Sequence, residues 1–341
     1  FHIKQIDRYV RECNCLQFII CQFITRNMTQ FSIFIDGGAG TTGLQVKDRL
    51  LARPELSVMI LDDDLRKNDA ARKTAMHDAD VTILCLPDNA ALQAAEMTTG
   101  TNARLIDAST AHRVAPNWIY GFAELTEYQA DAIANAARVS NPGCYPTGFL
   151  ALVRPLVEAG IIAPEMALTI PSVSGYSGGG NALIAAYENT NCALPYGTYG
   201  LTLQHKHLPE MTQHAQLTTP PIFMPSVGNF PQGMLVSVPF HAASLQTSVS
   251  AAALTDILQQ RYASSPLISV APDAPLTAAG FLAADHLAAS DKMELFVFAD
   301  ETSSQFVLTA RLDNLGKGAA GAAVQNMNLM LGLNPYEGLN L

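Results

Sequence analysis

A β-rich run, Phe31-Ser32-Ile33-Phe34-Ile35, passes through Asp36 into Gly37-Gly38-Ala39-Gly40-Thr41-Thr42-Gly43, and residues 44–51 then take up helical periodicity. Gly38, Gly40 and Gly43 stand in a G-x-G-x-x-G spacing between a strand and a helix, where bare backbone lets a pyrophosphate approach the helix N-terminus. Gly38, Gly40, Thr41, Thr42 and Gly43 are therefore candidate dinucleotide contacts. A second strand over 56–61 ends at Asp62-Asp63-Asp64-Leu65-Arg66-Lys67. An acidic side chain there suits the ribose hydroxyls of NAD, whereas Arg66 and Lys67 suit the 2′-phosphate of NADP. Both chemistries are present, and spacing leaves the choice open. Further strands read at 81–86 and 104–107, with an alanine-rich helix between them. The alternation implies an α/β fold with a Rossmann-type, doubly wound parallel sheet.

Past the end of the 104–107 strand lies Asp107-Ala108-Ser109-Thr110-Ala111-His112-Arg113. Ligands bind beyond the C-terminal ends of such strands, so Ser109 and Arg113 are candidate phosphate or carboxylate contacts. Cys85, inside an apolar run, reads as core.

The second informative stretch is Ser140-Asn141-Pro142-Gly143-Cys144-Tyr145-Pro146-Thr147-Gly148. Pro142-Gly143 turns the chain, and Pro146 suits a first helical turn, where a missing N–H costs little. Cys144 is thus expected at a helix N-terminus, whose dipole favours a thiolate and so a nucleophile.

After Cys144 the pattern changes. Residues 166–173, 233–240, 293–298 and 306–312 read as strands with fewer intervening helices, implying an α+β domain with a mixed or antiparallel sheet for substrate recognition and oligomer contacts. Within it, Ser174-Gly175-Tyr176-Ser177-Gly178-Gly179-Gly180 is a donor-rich loop suited to an anion; Ser174 and Gly175 are taken as its contacts. Gln204-His205-Lys206-His207-Leu208-Pro209-Glu210-Met211 reads as a strand end entering a helix, with His205 and His207 on one side and Lys206 on the other. Either histidine could exchange a proton with Cys144. No third ligand accompanies the two histidines, so no metal is expected. His112, His214, His241 and His286 read as surface or core. The glycine- and alanine-rich close, Asp313 to Leu331, is expected to be a helix returning to the first domain, with Asn314 and Lys317 able to touch ligand at its start.

With 49% hydrophobic and 15% charged residues the chain is globular, and its formal net charge of −10 argues against nucleic acid or an anionic membrane as partner. Residues 1–27 hold three of the six cysteines, Cys13, Cys15 and Cys21. Their apolar stretch, 16–24, is interrupted by glutamines and too short to span a bilayer. The segment reads as an extension ahead of a natural start at Met28. The scattered Cys85, Cys144 and Cys192 make no disulfide framework, which fits a reducing cytoplasm.

Four segments together resemble the N-acetyl-γ-glutamyl-phosphate reductases, in the more compact of that family's two sequence types and within the aspartate-semialdehyde dehydrogenase superfamily. They are Gly-Ala-Gly-Thr-Thr-Gly-Leu-Gln at 38–45, Ser-Asn-Pro-Gly-Cys-Tyr-Pro-Thr-Gly at 140–148, His-Lys-His-Leu-Pro-Glu-Met at 205–211 and Leu-Asp-Asn-Leu-Gly-Lys-Gly-Ala-Ala-Gly-Ala-Ala-Val-Gln-Asn at 312–326. The resemblance implies NADPH as cofactor, an acyl phosphate as substrate and inorganic phosphate as product, in L-arginine biosynthesis. It also implies a thioester on Cys144, reduced to a semialdehyde, with His205 or His207 serving the developing alkoxide. Arg113, Lys206 and the Ser174–Gly180 loop, with Ser109 and Asn141, are the candidates for holding phosphate and carboxylates, and Asn314 for the cofactor. A dinucleotide domain over 28–143, a catalytic domain over 144–312, a returning segment over 313–341 and a homo-oligomer, dimer or tetramer, are expected. The alternatives are a sister reductase of aminoadipyl or aspartyl phosphates, a Cys–His hydrolase or acyltransferase, and a non-catalytic NADP-binding sensor.

Overall fold

The structure is a computed structural model that describes residues 30–38, 40–188 and 194–341. The Cys13–Cys15 pair, the expected start at Met28 and Cys192 lie outside the described residues.

Six parallel strands form the first sheet: β1 (Phe31–Asp36), β2 (Leu56–Met59), β3 (Val81–Leu84), β4 (Leu105–Asp107), β5 (Ile119–Tyr120) and β6 (Arg138–Ser140), in the order β2-β1-β3-β4-β6-β5. The order reverses between β1 and β3, and the glycine turn sits at that switch point, where open α/β sheets bind ligands. Helices α1 (Thr41–Leu51), α2 (Asp69–Asp78), α3 (Asp88–Met97) and α4 (Gln129–Ala134) complete this part. The buried β1 and β3 are nearly continuous apolar runs, as expected of strands covered on both faces. One face packs Phe34, Leu84 and Leu105 against Met76 and Ala94; the other packs Ile33, Ile83 and Ile106 against Val324 and Met327 from the end of the chain.

Helix α5 (Cys144–Glu158) leads out of this sheet into the second one. That sheet contains β7 (Thr169–Gly175), β8 (Tyr196–Thr198), β9 (Ile222–Gly228), β10 (Met234–His241), β11 (Ile268–Val270), β12 (Met293–Ala299) and β13 (Gln305–Leu312), ordered β11-β12-β13-β10-β7-β9-β8. It is mixed: β7 and β9 run parallel, as do β11 and β12, and the remaining neighbours are antiparallel. Helix α6 (Gly180–Glu188) and helix α7 (Leu208–His214) lie between its strands in sequence, and α8 (Ala251–Tyr262) joins α5 in covering one face. The chain then returns through a π-helical turn, Gly316–Ala320, into α9 (Gly321–Leu331).

Helix α5 carries a proline inside it, near its C-terminal end. Pro155 has no N–H for the carbonyl of Ala151, and the hydroxyl of Tyr262 on α8 donates to that oxygen at 2.8 Å instead. The orphan acceptor is thereby paired, and α8 is fixed against α5.

Residues 204–207 depart from the sequence reading. They form a turn and not a strand end, because Nδ1 of His205 accepts the backbone N–H of His207 at 3.1 Å and closes the chain locally. Their rings meet edge to face, 4.7 Å apart, so proximity survives while the alternation does not.

Candidate active site

A cavity of about 490 Å³ lies between the two sheets, and both signature turns open into it. From the first sheet come Gly40, Thr41, Thr42 and Gly43; from the second come Ser174, Gly175 and the loop to Gly180; Cys144 stands between them.

The glycine turn has the features a dinucleotide phosphate needs. Gly40 caps α1 without any side-chain acceptor, so the first-turn N–H groups are left for a ligand. A Cβ on Gly40 would meet nothing within 4 Å, whereas one on Gly43 would stand 2.9 Å from Gly37 O. The first glycine leaves room and the last lets helix and turn pack. Thr41 Oγ1 donates to Asn181 Oδ1 at 2.9 Å, linking the turn to α6. Arg66 and Lys67 fall in the exposed turn after β2, outside the wall of this cavity, with Arg66 paired to Asp63 at 3.1 Å.

Cys144 is the first residue of α5. Gly143, its N-cap, brings no side-chain acceptor either, and the first turn holds no acidic residue. The helix dipole alone would favour a thiolate here, and burial opposes it. Burial pushes the thiol up to about 11, outweighing the backbone N–H of Tyr145 and the Arg113 guanidinium, which pull it down. Burial therefore favours the thiol over the thiolate at Cys144.

Two imidazoles share its cavity. A Cβ on Gly143 would stand 2.7 Å from His207 Nε2, 2.6 Å from Arg113 Nη1 and 2.8 Å from Glu210 Oε1, so these three groups press on the residue before the cysteine. His207 is buried, its Nδ1 has no partner, and burial with the nearby Arg113 holds it neutral, well below the ordinary histidine value. His205 is more open, is lowered by burial and Lys206, and packs against Phe223.

Glu210 escaped the sequence reading. Its Oε1 accepts from Arg113 at 2.6 Å, and its Oε2 accepts from Tyr120 Oη at 2.7 Å and from the Gly143 N–H at 3.1 Å. It follows His207 by three residues on the first turn of α7, a spacing that puts the two side chains on one face. That spacing was the available signal.

Several expected ligand contacts also bond within the protein. Arg113 reaches the cavity wall, but its guanidinium is committed to Glu210 and, through Nε, to the Asn141 carbonyl. Ser109 is buried against Asp107, to which its Oγ donates at 2.8 Å, and it does not line the cavity. Asp107 also holds His112 at 2.6 Å, with that ring stacked on Trp118, so His112 is a core residue. The Asn141 side chain bonds Ala319 O and Asn326, and that of Asn314 bonds Ser177 and the Gly233 N–H. Both line the cavity as fixed walls. Ser174, Gly175 and the exposed Lys206 line it too, and Lys317 does not. Cys85 packs on the core yet reaches the wall beneath Gly43, its thiol pushed up to about 12 by burial. Tyr145 and Tyr199 complete the wall near Cys144. Among the described residues no group of three or more His, Cys, Asp or Glu side chains could hold a metal, and no helix is long and apolar enough to cross a membrane.

Residues 59–136 match the family model described as semialdehyde dehydrogenase, NAD binding domain, and residues 144–314 match the one described as semialdehyde dehydrogenase, dimerisation domain. An N-acetyl-gamma-glutamyl-phosphate reductase of Brucella suis is 50% identical over 305 residues, covering 88% of this chain and 98% of the relative. The chain belongs to the N-acetyl-gamma-glutamyl-phosphate reductase family. The Brucella ovis reductase is 49% identical over the same span. Among solved structures, aspartate semialdehyde dehydrogenase II of Vibrio cholerae, complexed with ASA, superposes with a TM-score of 0.65 at 16% identity, covering 89% of this chain and 98% of the other. Aspartate semialdehyde dehydrogenase of Candida albicans with NADP does so at 0.65 and 13%, covering 88% and 98%. At such identities these two show the fold and nothing finer.

Proposed function

We propose that the protein reduces N-acetyl-L-glutamyl 5-phosphate to N-acetyl-L-glutamate 5-semialdehyde with NADPH, releasing phosphate, in L-arginine biosynthesis. One observation carries the reading: a cysteine at an uncapped helix N-terminus shares a cavity with a neutral, buried imidazole and a glycine turn built for a dinucleotide. The kinship with reductases of that name supports the substrate.

In this reading Cys144 Sγ attacks the acyl carbon as its proton passes to His207. His207 suits that role because it is neutral and lies against Gly143. The carbon–oxygen bond to phosphate breaks, the leaving oxygen takes the proton from His207, and a thioester remains on Cys144. The turn at Gly40–Gly43 would hold the dinucleotide, which would supply hydride there, and Cys144 holds the acyl carbon ready to receive it. The sulfur is then expelled with its electron pair, the carbonyl re-forms as aldehyde, and solvent returns a proton to Cys144. Splitting the displacement from the reduction gives two accessible steps, and positioned acid–base help contributes roughly 10²–10⁴-fold. Lys206, exposed at the rim, offers a cation to the substrate's anionic groups.

The same reading assigns the dinucleotide to residues 28–143, catalysis to 144–312 and closure of the cavity to 313–341. It includes a homo-oligomer built on the second sheet: α5 and α8 cover one face, while Ile222, Met224 and Val307 are exposed on the other. A reducing cytoplasm is the matching compartment.

The test is NADP⁺ reduction with N-acetylglutamate semialdehyde and phosphate, set against the aminoadipate and aspartate analogues. Cys144→Ser should abolish turnover and leave NADP⁺ affinity within about twofold. Full turnover in that variant, or preference for another semialdehyde, would refute the mechanism or the substrate respectively.

A further inference from the structure

The return of the chain from the second sheet passes directly behind the nucleophile. Within the turn Gly316–Ala320, Gly318 N–H donates to Asp313 O at 3.0 Å and Ala320 N–H to Leu315 O at 2.8 Å, the five-residue spacing of a π-helical turn. Leu315, Gly318 and Ala319 from this turn line the Cys144 cavity. A Cβ on Gly318 would stand 2.8 Å from Cys144 Cβ and 3.2 Å from its Cα, so the turn's backbone is itself the surface against which the cysteine rests.

Lys317, between these wall residues, faces the other way. Its ammonium is buried, with the residue 1% exposed. Nζ donates to Glu124 Oε2 and to Gln325 Oε1, both at 2.8 Å, and Gln325 Nε2 donates to Glu124 Oε1 at 2.9 Å. The three side chains form a closed ring of charge-assisted and amide hydrogen bonds, and Nζ also lies 5.6 Å from the centre of the Phe122 ring. Glu124 and Gln325 line a separate cavity of about 690 Å³ whose wall does not include Cys144. A fully desolvated cation is a costly way to hold a loop, and a π-helical turn is an uncommon one. Here the two coincide one residue from the nucleophile's contact.

We infer that Lys317 is a positioning residue for Cys144: its ring with Glu124 and Gln325 holds the π-helical turn in register, and the turn in turn sets where the cysteine sulfur stands in the cavity. Lys317 touches neither the cavity nor any reacting atom, so its effect passes through Gly318. The inference rests on Cys144 being the nucleophile, and the two can fail separately.

The test uses the full chain without substrate or cofactor, following the rate of Cys144 alkylation by iodoacetamide, with Cys144→Ser as the blank. Lys317→Met alone strands the Glu124 carboxylate and risks the fold. The informative variants are therefore Lys317→Met combined with Glu124→Gln, and Gln325→Leu, which loosens the ring without leaving a lone charge. Both should change the alkylation rate at fixed pH by roughly threefold or more. In turnover they should lower kcat by roughly tenfold with the substrate KM within about twofold, the split expected when only the reacting geometry is lost. Lys317→Arg, which keeps a cation in the ring, should recover part of both. Parental alkylation and kcat in either folded variant would overturn the inference, even while Cys144→Ser stays inactive. Full activity in Cys144→Ser would instead sink the reading on which it rests.

Discussion

Arg113 Nη1 and Glu210 Oε1 meet at 2.6 Å beneath Gly143, and both side chains are shut away from solvent. This buried pair, with Tyr120 and the Gly143 N–H sharing the same carboxylate, underpins the turn that presents Cys144. Removing one partner leaves the other charge stranded, which costs more than the pair itself contributes. Glu210→Ala should therefore destabilise the fold by roughly 3–5 kcal/mol in urea unfolding. Glu210→Gln keeps an acceptor for Tyr120 and should cost less, while still lowering turnover. Equal stability of Glu210→Ala and parent would show the pair to be incidental.

The buried imidazole sets a pH dependence. His207 lies well below the ordinary value of 6.5 because burial opposes its charge, with Arg113, His205 and Lys206 adding to that. Below about pH 6.5 the unfolded chain takes up a proton that the native state refuses, so stability falls as the pH falls, by up to about 1.4 kcal/mol per unit from this group. Burial lowers His214 and His205 in the same direction. Urea midpoints between pH 5 and 7 should slope accordingly, and His207→Asn should flatten the curve without abolishing it. An unchanged slope in that variant would mean the imidazole titrates normally.

Two glycines in one turn should separate ligand approach from folding. Ala at Gly40 meets empty space and should alter stability by less than about 1 kcal/mol. It should still weaken NADP⁺ binding by roughly tenfold or more, since its methyl occupies the space a pyrophosphate needs. Ala at Gly43 collides with Gly37 O and the Gly38 Cα and should lose both stability and binding. Calorimetric titration beside urea unfolding reads both effects, and normal NADP⁺ affinity in Gly40→Ala would move the phosphates elsewhere.

The Tyr262 hydroxyl should matter only because of Pro155. Tyr262→Phe leaves the Ala151 carbonyl buried and unpaired, a loss of roughly 1–3 kcal/mol. Pro155→Ala restores an N–H to that carbonyl, so the same tyrosine change should cost much less in its background. A double-mutant cycle with no coupling would disprove the compensation.

What could be read beforehand was local. The strand, glycine turn and helix of 31–51, and the turn and helix around Cys144, announce themselves through neighbouring residues, and both stand where expected. The mixed sheet was legible as a class but not as an order, since pairings such as Thr169 with Ile222 are decided by packing between distant segments. The burial of Cys144 was hidden for the same reason. A helix start is visible in the sequence, but the burial that overrides it comes from elements brought together across the fold, among them the turn at Gly318. Arg113 looked like a free cation because its partner lies 97 residues away. At 204–207 the alternation of histidines suggested extension, and a side chain bonding its own backbone chose a turn instead.

The chain leaves the first sheet at Gly143–Cys144 and comes back at Asn314–Gly318, and those two passages touch each other. Cys144 therefore stands where the outgoing and the returning backbone meet, and a change in either passage is felt at its sulfur.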